Sequence, residues 1–131
     1  MIIEPRHKDT GETISEVIAM LPNELSYDVV GVWHIVPDGE TGFGLSGDGL
    51  ADFLKRAILA LLDAGAVPVR HFPGTDYEWV RQNQYGTTRA EIADAIVREW
   101  APVPNNSLSM IENCPWFARP DPKHPHFIKM D

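Results

Sequence analysis

Gly42-Phe43-Gly44-Leu45-Ser46-Gly47 has the spacing G-x-G-x-x-G. In a dinucleotide site such glycines let the backbone approach a pyrophosphate at a helix N-terminus. Here the match stands apart from the strongest strand-like run, and Asp38, Glu40, Asp48 and Asp52 surround the place a polyanion would occupy. No Lys-Ser or Lys-Thr of a phosphate loop follows it. It therefore reads as glycine turn chemistry ahead of a helix. His124-Pro125-His126 with Cys114 offers metal-binding atom types. Structural zinc asks for four ligands at paired spacing, and no second pair exists. No metal and no cofactor is expected. Cys114 between Asn113 and Pro115-Trp116-Phe117 reads as a buried, unreactive thiol. His34, His71 and Asp76 form the remaining candidate: a histidine beside carboxylates at the end of a strand can do general acid–base work. His34 alone reads as a core histidine on an apolar strand face. Glu12/Glu16 and Asp48/Asp52 are i, i+4 carboxylate pairs that suit helix N-termini.

Charge is distributed unevenly. The net charge is −8, from 11 Lys and Arg against 19 Asp and Glu. Between Asp9 and Leu54 the acids are Asp9, Glu12, Glu16, Glu24, Asp28, Asp38, Glu40, Asp48 and Asp52, with no Lys or Arg among them. A one-signed field of this kind disfavours nucleic acid and anionic membrane, both of which need clustered cations. It suits a basic protein. No apolar run reaches the roughly 18 residues of a membrane span, and Met1-Ile2-Ile3-Glu4-Pro5 is too short and too acidic for a secretory signal. A single cysteine points to a reducing, cytoplasmic setting.

The elements that must position these residues follow from periodicity. Thr13-Ile14-Ser15-Glu16 is a capping box opening a short helix that Pro22 should stop. Tyr27 to Val36 reads as a central strand, apolar on both faces. Pro37-Asp38-Gly39 then turns the chain into a second strand, Thr41 to Leu45. Asp48 caps the most regular helix, whose stripe is Leu50, Phe53, Leu54, Ala57, Ile58, Leu61 and Leu62, with Gly65 as its C-terminal stop. Val67 to Phe72 is a strand that Pro68 places at an edge or an end. Pro73-Gly74 turns the chain, and Tyr77 to Gln82 reads equally as strand or helical turn. Thr88-Arg89-Ala90-Glu91 opens a helix over residues 89–100, with Ile92, Ala95, Ile96 and Trp100 on one face. Residues 102–131 hold six of the eleven prolines together with Trp116, Phe117 and Phe127. This Pro-rich tail should run extended, with a helix only near Ser107 to Asn113, and pack on its own domain or on a partner.

These elements predict an α+β fold: one domain over residues 1–131, with a small mixed sheet against two to three helices. A right-handed crossover through the long helix would make the first strand and Val67–Phe72 parallel neighbours. In size, single-domain build and negative charge the chain resembles inhibitors and immunity proteins that neutralise basic nuclease toxins, a likeness of type that no motif carries. The expected function is capture of a basic protein, such as a nuclease-type toxin, by electrostatic and steric occlusion. Asp38, Glu40, Asp48 and Asp52 would supply the field, and Tyr77 and Trp79 the aromatic anchors. The alternative is a small enzyme with its site near His34, His71 and Asp76.

Overall fold

The computed structural model describes residues 4–26, 28–72, 76–104 and 107–130. Tyr27 and the Pro73-Gly74 turn lie outside the described residues. Both capping boxes close as their spacing requires. The Thr13 N–H donates to Glu16 Oε1 at 3.1 Å and the Glu16 N–H to Thr13 Oγ1 at 3.2 Å. The same pair of bonds joins Thr88 and Glu91 at 3.0 and 3.2 Å. They open α1 (Ile14–Glu24) and α4 (Arg89–Trp100). Helix α1 runs through Pro22 instead of stopping there. Proline forfeits one backbone hydrogen bond, but Ile14, Ile18 and Leu21 form a buried face that holds the last turn in register.

The expected strand Tyr27–Val36 is overturned. Among its described residues Val30–Gly31 alone form a strand (β1), and Val32–Pro37 is helical (α2). A largely apolar run fits both periods. Val32, Ile35 and Val36 are buried at helical spacing, and Gly39 continues that face one turn later. The hairpin over Pro37–Leu45 is likewise absent. Asp38–Gly42 is a single π-helical turn closed by the Phe43 N–H on the Asp38 carbonyl at 2.9 Å.

Helix α3 (Gly47–Asp63) buries Leu50, Phe53, Leu54, Ala57, Ile58 and Leu61 of the stripe read from the sequence, and Leu62 is only partly buried at its end. Its N-cap is Ser46, with Asp48 inside the first turn, where a carboxylate still favours the helix dipole. Gly65, at φ +93°, ends it as a Schellman cap. The Ala66 N–H returns to the Leu61 carbonyl at 3.1 Å and the Gly65 N–H to Leu62 at 3.0 Å. α5 is Leu108–Asn113.

β2 (Val67–His71), β3 (Trp79–Arg81), β4 (Trp116–Ala118) and β5 (Ile128–Lys129) complete a five-stranded mixed sheet in the order β1-β4-β2-β3-β5. All neighbours are antiparallel except β3 and β5. The protein is an α+β fold. β2 is therefore the central strand and not an edge. Pro68 is tolerated because its carbonyl accepts from Gln82 at 2.8 Å, one residue past the last β2–β3 pair, so its missing N–H falls at the end of that ladder. β1 and β2 do point the same way, but β4 lies between them. The Pro-rich tail thus inserts a strand into the sheet.

Alternation gives the sheet two unlike faces. Val30 and Phe117 point into the main core with α1, α3 and α4. Val69, Ala118 and Ile128 point the other way, under Val29, Val67, Trp79, Trp116 and Phe127. No residue of that second cluster belongs to a helix. Among the described residues no helix is long and apolar enough to cross a membrane.

Candidate functional site

The residues between α1 and the sheet edge carry acids around an apolar floor. A hollow of about 250 Å³ is lined by Glu12, Glu24 and Asp38 together with Val17, Leu21 and the exposed Met20. It shares Leu21, Glu24 and Asp38 with a second hollow of about 430 Å³ that adds Asp28, Val29, Val30 and His34. A third hollow shares Asp28 and Val29 and brings in Glu78, Trp79 and Phe127. A fourth, about 430 Å³, shares Glu78 and Phe127 and is lined further by Asp76, Lys123, His124 and His126. Neighbouring hollows share lining residues, so the four lie in succession from α1 past the start of β1 to the tail, and together they make up an acidic trough. Its carboxylates are Glu12, Glu24, Asp28, Asp38, Asp76 and Glu78. The cations that line it are Arg119, whose guanidinium donates to the Pro22 carbonyl at 3.4 Å, and Lys123 at the tail end.

The N-terminal arm helps to build the trough. His7 Nδ1 accepts the Asp9 N–H at 3.1 Å, so the neutral ring carries its proton on Nε2 and donates to Asp38 Oδ1 at 3.2 Å. The ring lies directly against Gly42, where a side chain would collide with it, and meets Phe43 edge-on at 5.3 Å. The Lys8 N–H bonds the Gly42 carbonyl at 3.0 Å. The π turn thus holds one wall of the trough.

The sequence candidates separate. Asp38 and Trp79 line the trough. Glu40, Asp48 and Asp52 line none of its hollows. They flank the contact of Gly39 with Leu50 and Phe53, and Asp48 and Asp52 are exposed. Tyr77 is half-buried and its ring lies 5.4 Å from His126. Of the enzyme candidates, His34 lines the second hollow and Asp76 the fourth, and His71 lines neither. His34 is also exposed and not a core residue. Because Val32–Pro37 is helical, its Nδ1 reaches back to accept the Gly31 N–H at 3.2 Å and completes the start of α2.

The other titratable groups have structural explanations. Burial pushes the Cys114 thiol up, against the weaker opposing pull of the Trp33 and Val32 backbone. The His124 side chain, 2.6 Å away, holds Asp121 below the usual carboxylate range. Among the described residues no three His, Cys, Asp or Glu side chains gather as a metal site.

No family model, curated protein or solved structure matches the chain. The trough therefore carries the functional argument alone. Sequence reading overlooked Glu12, Glu24, Asp28 and Glu78 as a set. The signal for Glu12, Glu24 and Asp28 was the cation-free interval, outside which Glu78 falls, and the hollows that these four line depend on where α1, β1 and the start of β3 lie in the fold.

Proposed function

We propose that this chain is a binding protein that captures a basic protein partner in the acidic trough and neutralises it by occlusion, in the manner of a toxin inhibitor or immunity protein. The observation that carries this reading is the succession of hollows that share lining residues and together present six carboxylates against two cations, Lys123 and an Arg119 that donates to a backbone carbonyl. Carboxylates that are not consumed by internal ion pairs keep their field for a partner. Lys55 is paired with Asp94 at 2.9 Å and Arg89 with Asp63 at 2.7 Å, away from the trough. Glu40, Asp48 and Asp52 add long-range attraction from the neighbouring shoulder, which speeds encounter more than it tightens the complex. Val17, Met20 and Leu21 offer the desolvated contacts that slow release.

The test is a paired capture. Wild type and a Glu12→Gln/Glu24→Gln/Asp28→Asn variant serve as baits against proteins of the source organism, washed at about 0.05 M and then about 0.5 M salt. One basic protein, retained stoichiometrically by wild type through the second wash and lost from the variant, is the expected result. Its own activity should fall to background at a one-to-one ratio. Equal retention by both baits, or heterogeneous binding that the second wash removes, overturns the proposal.

A further inference from the structure

A ladder of aromatic rings runs from the first turn of α2 onto the sheet face opposite the main core. Trp33 meets Trp116 at 6.0 Å, and Trp116 meets Trp79 at 5.7 Å. His34 lies 4.2 Å from Trp33 at one end, and His71 lies 5.7 Å from Trp79 at the other. All three indoles are half-buried, and both histidines are exposed. The placement follows from register. Gly31 and Trp116 are cross-strand partners, as are Val69 and Trp116, so the Trp116 ring spreads over the bare glycine while Val69 is sealed beneath the ladder. Trp79 and Trp116 pack against Val69, Ala118 and Ile128, a cluster to which no helix contributes, and Trp33 packs from α2 against the main core; all three keep part of their surface in solvent.

The acidic hollows reach the ladder at two residues, His34 and Trp79. His34 lines the hollow that holds Glu24, Asp28 and Asp38, and Trp79 lines the next, beside Asp28 and Glu78. Indole faces next to carboxylates suit one cation above others. A guanidinium is planar, stacks on an aromatic face, and still donates in-plane hydrogen bonds to a carboxylate at its edge. A lysine ammonium gains the charge but not the stacking. Among the described residues no Lys or Arg of the chain stacks on these indoles; the cation–ring contacts, Arg70 at 5.8 Å and Lys129 at 5.7 Å, both fall on Phe72. Arg81 shares the ladder's face at the other end of β3, paired with Val69, and the hollow that Trp79 lines holds Asp28 and Glu78 together with Arg119.

We propose that the Trp33–Trp116–Trp79 ladder is an arginine-reading surface, and that the basic partner is recognised through arginines stacked on these indoles with their edges toward Asp28 and Glu78. This rests on the acidic-trough reading and adds to it a discrimination between arginine and lysine.

The probes are deca-arginine and deca-lysine amides, matched in charge, titrated at about 0.15 M salt. Wild type should bind the arginine peptide about tenfold more tightly, a difference that stacking of one or two guanidiniums supplies. Trp79→Leu and Trp33→Leu, each checked for folding by circular dichroism, should bring the two peptides within about twofold by removing only that stacking. In wild type, deca-arginine should shift the indole N–H resonances of Trp33, Trp79 and Trp116. Trp100, buried and donating to Tyr85 at 3.2 Å, should stay still. Equal binding of the two peptides, an arginine preference that survives in the folded variants, or unmoved indole resonances at saturation would each overturn the ladder's role and leave the trough reading standing. Failure of both peptides to bind would remove the trough reading and the ladder together.

Discussion

Trp116 lies across the backbone of Gly31, its cross-strand partner, so that a Cβ on Gly31 would stand 3.0 Å from the indole carbons and equally close to Trp33. The glycine is needed for space and not for conformation, since its φ of −94° suits any residue. This contact seats the ladder on the sheet edge and joins β1 to the strand contributed by the tail.

Gly31→Ala should therefore destabilise the fold by about 1–3 kcal/mol, the range for overpacking a tight contact. It should also change the tryptophan emission of the native state, because both indoles must move. Urea unfolding followed by fluorescence and by circular dichroism measures both effects. Wild-type stability with an unchanged spectrum would contradict the contact.

The tail is integral to the sheet, and Phe117 shows why. Its side chain is fully buried among the helices while its strand separates β1 from β2. Phe117→Ala should cost about 3–5 kcal/mol, a large share of the roughly 5–15 kcal/mol that holds a domain together. A chain that loses residues 116–131 should fail to fold cooperatively. Cooperative thermal unfolding of that truncation would show the tail to be an accessory.

Acid should loosen both capped helices. Hydrogen bonds from the Thr13 backbone and side chain hold the Glu16 carboxyl below its ordinary value, and those from Thr88 do the same for Glu91. A carboxylate whose folded pKa is depressed stabilises above its unfolded pKa and loses that stability as pH falls through the folded value. The loss should thus begin near the ordinary value of 4.5 and finish below it. Melting temperatures across that range should fall less steeply in Glu91→Gln than in wild type. Parallel slopes would show that the box contributes no pH dependence.

Cys114 is 2% exposed, and burial raises its thiol above the ordinary value. Both effects suppress the thiolate that reacts. Labelling by an aromatic disulfide reagent at about pH 8 should follow the opening of the fold, with a denaturant dependence equal to that of unfolding. Fast labelling of the native protein would place the sulfur elsewhere.

The elements legible in the sequence were those whose signals are local. Capping boxes at Thr13 and Thr88, the stripe from Leu50 to Leu61 and the Schellman glycine Gly65 all rest on neighbours within about five residues, where helix hydrogen bonds and side-chain spacing are settled. Val29 to Val36 misled because a run in which only His34 is polar satisfies a period of 2 and a period of 3.6 alike. Pro68 misled for a related reason: its missing donor matters only relative to where a neighbouring ladder ends, and that neighbour, β3, is paired from elsewhere in the chain.

The candidate site divides along the same line. By itself the sequence determined the sign of the surface, because no Lys or Arg falls between Asp9 and Leu54 however the chain folds. It could not select Glu24 and Asp28 over Asp48 and Asp52, since all four belong to the same acidic interval. Only the tertiary structure decided that α1 and β1 enclose a hollow while the start of α3 presents its acids on an open shoulder. The same holds for Trp33, Trp79 and Trp116, which are far apart in the chain and met only when β4 entered the sheet between β1 and β2. Charge is a property of composition, whereas a trough and a ladder are properties of long-range pairing, which is set by how the whole core packs.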